Sequence, residues 1–84
     1  MNKPTIGRIV HYNTTEADRK YFQVDRGNES KQLPAIVVAV WSDTTVNLKV
    51  IGDARSDLWK TSVTLGTGEG TWEWPARVEV KPAE

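Results

Sequence analysis

A chain of 84 residues with no cysteine and a single histidine, His11, has room for one small domain, no disulfide and no zinc site of the usual Cys/His kind. Eleven Lys and Arg against eleven Asp and Glu leave it formally neutral, which argues against a protein whose main task is to grip a phosphate backbone, so long nucleic acid is not an expected partner. A domain of this size buries only roughly 60% of the surface its unfolded chain exposes, so self-association is the remaining route to further burial and a homo-oligomer is expected.

No apolar run approaches the roughly 20 residues a membrane span needs, and the start "MNKPTIGR" lacks an apolar signal core, so no membrane contact and a reducing cytosol are expected. The triplets "NTT" at 13 and "NES" at 28 then carry no meaning as glycosylation sites.

Along the chain the hydrophobic period is two. Residues 5–12, "TIGRIVHY", read as a first strand with Ile6, Val10 and Tyr12 on one side. The polar segment 13–33 follows as a long first loop. Within it "TEADRKYF" is read either as a short helix capped by Thr15 or as an irregular excursion. Residues 35–41, "AIVVAVW", form a near-continuous apolar strand, and 45–51, "TVNLKVI", alternate cleanly. "SDT" at 42–44 joins them as a tight hairpin. The expected register sets Val40 against Val46, Val38 against Leu48 and Ile36 against Val50. Ala35, Val37, Ala39 and Trp41 then fall on the other face, where Trp41 and Val37 are the expected subunit contacts.

"GDARSD" at 52–57 is a turn by composition. Residues 59–65, "WKTSVTL", give a fourth strand through Trp59, Val63 and Leu65, and residues 77–80, "RVEV", a fifth. Five short strands, a long first loop and a one-turn 3₁₀ helix set by "WPARVEV" match a small all-β barrel of the Src-homology-3 type. The single domain spans 1–81, with 82–84 as a flexible tail. A Greek-key oligonucleotide-binding barrel is the rival, and it needs a helix that "GDARSD" is too short to supply.

The segment with the most chemistry is "GTGEGTWEWPARV" at 66–78. "GTGEG" is not a phosphate loop or a dinucleotide fingerprint, because tryptophans and a proline follow where those motifs need a helix. Its ordinary role is a connection in which glycine allows positive φ, and its functional alternative is a loop whose bare amides approach an anion. Trp72 and Trp74 are two apart and share a face of an extended chain. They either plug a thin core or offer a stacking surface, which is worth roughly 1–3 kcal/mol per base. Arg8 and Arg77, on the first and last strands of such a barrel, could lie together and hold a phosphate, with His11 and Tyr12 near them; the ordinary alternative is solvated or carboxylate-paired arginines. Nothing points to catalysis: there is no cysteine, and one histidine gives no arguable triad. No metal and no cofactor is expected.

"PTIGRIVHY" at 4–12, "LPAIVVAVWSDTTVNLKV" at 33–50 and "GTWEWPARV" at 70–78 resemble a widespread family of small phage proteins. Those chains carry G-R-I-V-H-Y near the start and G-T-W-x-W-P near the end. Segment 13–32 departs from the family by being longer and more polar. The resemblance extends to phage sponge proteins, including the anti-CBASS class, which sequester cyclic nucleotide signals of bacterial defence at subunit interfaces. It implies action in the host cell cytoplasm on a cyclic dinucleotide or a cyclic ADP-ribose type of ligand. By motif match the ligand-binding residues would be Arg8, His11, Tyr12, Trp72, Trp74 and Arg77. The alternative is an interaction or structural module that binds a host or phage protein through its aromatic face.

Overall fold

The computed structural model describes residues 3–24, 31–52 and 57–75. The strands are β1 (Ile9–Asn13), β2 (Gln32–Val40), β3 (Thr45–Ile51), β4 (Asp57–Thr64) and β5 (Trp72–Glu73), with one helix, α1 (Glu16–Val24), between β1 and β2. They form one antiparallel sheet in the order β4-β3-β2-β1-β5, curled into a half-barrel. The expected 3₁₀ turn, a strand at 77–80 and the tail from 82 lie outside the described residues. The fifth strand among the described residues is Trp72–Glu73, which pairs with β1.

Ten wholly or nearly wholly buried side chains make the core, and they come from all five strands: Val10, Tyr12, Leu33, Ala35, Val37, Val46, Leu48, Val50, Val63 and Trp72. Burial of such a side chain contributes roughly 1.5–3 kcal/mol, so Trp72, the largest of them, is a main support of a thin core.

One expected register and one expected alternation fail, each for a physical reason. Val40 faces Val46 as expected, but a bulge at Val38 shifts the rest, and Val37 faces Leu48 while Ala35 faces Val50. Ala35 and Val37 are therefore core residues, and Val38 and Val40 are the exposed ones. Val37 cannot be a subunit contact. On the opposite side of β3, Val46 faces Val63 and Leu48 faces Lys60, so Thr61 and Ser62 together oppose Asn47. Ser62 takes φ 54°, a left-handed value that marks this second bulge. The parity of β4 changes there, and Trp59 points outward at 58% exposure rather than inward. Leu65, read in the same alternation as the buried Val63, is exposed.

Asn47 lies opposite Ala39 beside the first bulge and opposite Thr61 and Ser62 at the second, and its side chain secures the second. Its Oδ1 accepts three hydrogen bonds, from Trp41 Nε1 at 2.8 Å, Thr61 Oγ1 at 3.0 Å and the Ser62 amide at 2.9 Å. The side chain supplies the acceptor that the bulged backbone lacks. At the N-terminus, Gly7 takes φ 94° in a turn where the Arg8 amide bonds to the Thr5 carbonyl at 3.1 Å. β1 thus begins at Ile9, and Ile6 is exposed instead of inward.

The helix is the short one that Thr15 was expected to cap. The Asp18 amide donates to Thr15 Oγ1 at 3.1 Å, and the Thr15 amide donates to Asp18 Oδ2 at 3.0 Å, a reciprocal capping box. Asp18 then reaches both sides of the half-barrel. Tyr12 of β1 donates its hydroxyl to Asp18 Oδ2 at 2.6 Å, and Lys60 of β4 meets Oδ1 at 2.7 Å. β1 and β4 are three places apart in the sheet, so this ionic clasp spans the opening of the curl. At one end the two sheet edges also meet, through an isolated parallel bridge between Leu65 and Trp72. No helix among the described residues is long and apolar enough to cross a membrane.

Candidate functional site

The expected ligand residues separate into a rim and an interior. Residues 8, 10 and 12 alternate onto the concave face, and 72 and 74 join them through the β1–β5 pairing, in which Tyr12 faces Trp72. At the rim, the exposed Arg8 guanidinium lies over the Trp74 ring, 5.3 Å from its centroid. Trp74 is half-buried and meets Trp72 edge-on, with centroids 5.2 Å apart and planes at 82°. Guanidinium on indole is attractive by about 0.5–1 kcal/mol at an exposed site, and the aromatic pair contributes about as much again.

Deeper in, the expectation is corrected. Trp72 is 0% exposed and its Nε1 donates to the Thr44 carbonyl at 3.0 Å. Tyr12 is buried as well, and its hydroxyl is held by Asp18. Neither ring offers a free face, so neither stacks on a ligand in this conformation. Burial and the hydrogen bond to the Asp18 carboxylate hold the Tyr12 phenol well above the ordinary tyrosine range. Burial alone would raise the Asp18 carboxyl. Hydrogen bonds from Lys60, the Thr15 amide, Tyr12 and the Thr15 hydroxyl outweigh it and leave the group below its ordinary value. The cluster is a structural anchor whose charges are satisfied.

His11 alternates onto the opposite, outer face of β1, between Pro34 of β2 and Glu73 of β5. It does not assist Arg8. Arg77 lies outside the described residues. Trp41 is on the outer face at 66% exposure, as a second-face aromatic should be, with its Nε1 tied to Asn47.

The glycine run folds back as a loop between β4 and β5, and Asn13 at the end of β1 secures it. The Asn13 amide donates to the Thr71 carbonyl at 2.8 Å, and the Gly70 amide donates to the Asn13 carbonyl at 2.7 Å. Asn13 Nδ2 reaches Glu73 Oε2 at 3.0 Å and Thr71 Oγ1 at 3.1 Å, while its Oδ1 accepts from Gln32 at 3.0 Å. Gly70 has φ 78° and needs to be glycine, so the ordinary role holds at that position.

Four positions escaped the sequence reading: Asn13, Asp18, Asn47 and Trp59. Asn13, Asp18 and Asn47 are polar side chains nearly buried among donors and acceptors, and none of the buried side-chain nitrogens and oxygens described lacks a partner. The spacing Thr15-x-x-Asp18 was the one available signal. Among the described residues no group of three or more His, Asp or Glu is placed to hold a metal. Comparison with protein-family models, with curated proteins and with solved structures finds no match to this chain.

Proposed function

We propose that this chain is a phage-encoded capture module that binds a nucleotide-type signal of bacterial defence, of the cyclic dinucleotide or cyclic ADP-ribose class, and withholds it without cleaving it. The phage and defence setting rests on the motif resemblance. The ligand chemistry rests on one observation, the Arg8 guanidinium over the half-buried Trp74 ring at the open rim. A ring and a fork of donors at one point suit a molecule with a base beside a phosphate, because the base stacks while the fork binds the anion. Formal neutrality suits a small ligand chosen by shape and stacking better than a long polyanion. One rim pair supplies only one wall, so in this reading the protein works as a homo-oligomer and a second copy supplies the other. The test is calorimetric titration of the protein with cyclic dinucleotides and cyclic ADP-ribose isomers. Binding that Arg8→Ala and Trp74→Ala abolish, with the ligand recovered intact, is the expected result. Product formation, or full affinity in both variants, contradicts it.

A second reading has its own observation. The register sets Ile9, Ile36, Lys49 and Trp59 in one row across four strands of the outer face, and Trp41 lies beside Asn47 on the same face. Ile9, Trp41 and Trp59 are all at least half exposed. A patch of this kind suits a protein partner. In a pull-down, Trp41→Ala and Trp59→Ala would then lose a partner that Arg8→Ala retains.

A further inference from the structure

The glycine loop forms part of a cavity that shares no residue with the Arg8–Trp74 rim. It measures about 340 Å³ and lies at the other end of β1, where Asn13, Thr14, Arg19, Lys31, Gly68 and Glu69 are among its walls. At about 3.3 Å per strand residue, the five residues from Arg8 to Asn13 separate the two places by roughly 17 Å.

Arg19 is anchored from behind. Its Nη1 donates to the Thr14 carbonyl at 2.8 Å and to Thr14 Oγ1 at 3.1 Å. Its Nη2 meets Glu69 Oε2 at 3.0 Å. Lys31 stands on the same cavity, and the ion pairs among the described residues, Arg19–Glu69, Lys20–Glu16 and Lys60–Asp18, leave it out. Among the described residues two cations therefore face a single carboxylate. That carboxylate is held at the surface: the Glu69 side chain is 61% exposed, against 22% for Arg19. An exposed pair is worth only about 0.2–1 kcal/mol, so an arriving anion displaces Glu69 at small cost. Gly68 faces open space, since a Cβ there meets nothing within 4 Å.

A fixed guanidinium already carrying a movable carboxylate marks the place of an exchangeable anion, because its fork fits carboxylate and phosphate oxygens alike. Charge decides between the two. Once Glu69 has moved away, Arg19 and Lys31 together match a dianion, whereas a carboxylate ligand would leave one cation unmatched. The cavity is in the size range of small-ligand sites and exceeds what a lone phosphate ion fills. We infer that this cavity is a separate site for the terminal phosphate of a small phosphorylated metabolite, with Arg19 and Lys31 as its grips and Glu69 as its built-in competitor.

The experiment is a titration of ¹⁵N-labelled protein with adenosine 5′-monophosphate, with inorganic phosphate and acetate in parallel, read at the amides of 67–70. Saturable shifts with the nucleotide are expected there, unchanged in Arg8→Ala. Glu69→Gln should tighten binding roughly two- to fivefold, as removal of an exposed competing pair implies. Arg19→Gln should abolish the shifts. Since Arg19 also braces Thr14, Lys31→Gln is the companion variant: its side chain is exposed and the backbone bond it makes to Thr14 is kept, so it should keep the folded spectrum and weaken binding severalfold. No saturable shift at 67–70 overturns the inference, and so does unchanged or weaker binding in Glu69→Gln. Equal response to acetate overturns the phosphate preference, and inorganic phosphate binding as tightly as the nucleotide overturns the larger ligand. Because no residue is shared, a blank result at the Arg8–Trp74 rim leaves this outcome readable.

Discussion

Two tryptophans two residues apart have opposite duties. Trp72 is the largest core side chain and also satisfies the Thr44 carbonyl, while Trp74 rests half-buried between it and Arg8. Trp72→Ala should cost about 3–5 kcal/mol, enough to unfold much of a domain this small, whereas Trp74→Ala should cost about 1–2 kcal/mol. Denaturant unfolding of the two variants checks the difference. Asp18 gives a prediction in pH. Its folded carboxyl sits below its unfolded value near 4, so around that pH the unfolded chain binds more protons and the contribution is lost on acidification through the folded value. It is fully present above roughly pH 5. Thermal melts should show a shallower acid limb in Asp18→Asn, from a baseline about 2–4 kcal/mol lower. Tyr12 acts at the other extreme. Its phenol is raised, so the unfolded chain ionises first and stability falls as pH climbs beyond about 10, a loss that Tyr12→Phe should not show.

At the scale of elements, β3 is the organiser, and Asn47 is its key position. Its Oδ1 holds the β4 bulge and the Trp41 indole, so Asn47→Ala should cost about 2–3 kcal/mol, because three donors lose their acceptor at once. Asn47→Asp keeps an acceptor and should retain most of that stability at neutral pH. Denaturation gives the energies, and Trp41 fluorescence reports the freed indole. The same residue shows why the sequence was legible only in part. Strand β2 announces itself as a near-continuous apolar run, β3 and β4 through alternation, and Thr15 marks the helix start. A bulge inserts one residue without any change in composition, so Val38 and Ser62 reversed the face of everything beyond them. Val37 moved inward and Trp59 outward for that reason alone. Gly7 likewise looked like one more residue of a strand, and its φ of 94° delays the start of β1 to Ile9, four residues after the expected start. At the candidate site, Arg8 and Trp74 were both expected among the ligand residues, but the barrel order pointed Arg8 toward Arg77, which lies outside the described residues, and the place of Arg8 over Trp74 was not foreseen. Burial of Trp72 and Tyr12 depends on how deep each lies in the curl, which spacing does not encode.

At the scale of the whole molecule, an open sheet is closed by few contacts: the Asp18 clasp, the Leu65–Trp72 bridge and the indole bond of Trp72 to Thr44. The concave face is spent on this closure, and among the described residues the rim, the outer face and the loop cavity offer surfaces for recognition. The proposed reading rests on the neutral charge and the Arg8–Trp74 pair, which suit a small ligand with a base and a phosphate. The measurement that bears most directly on this is the calorimetric titration with cyclic dinucleotides and cyclic ADP-ribose isomers, run on the wild type and on Arg8→Ala, with the ligand analysed afterwards. The account predicts saturable heat for one class, its loss in a folded Arg8→Ala, and ligand recovered unchanged. Absence of heat from every member of the panel, or a cleaved ligand, would contradict it.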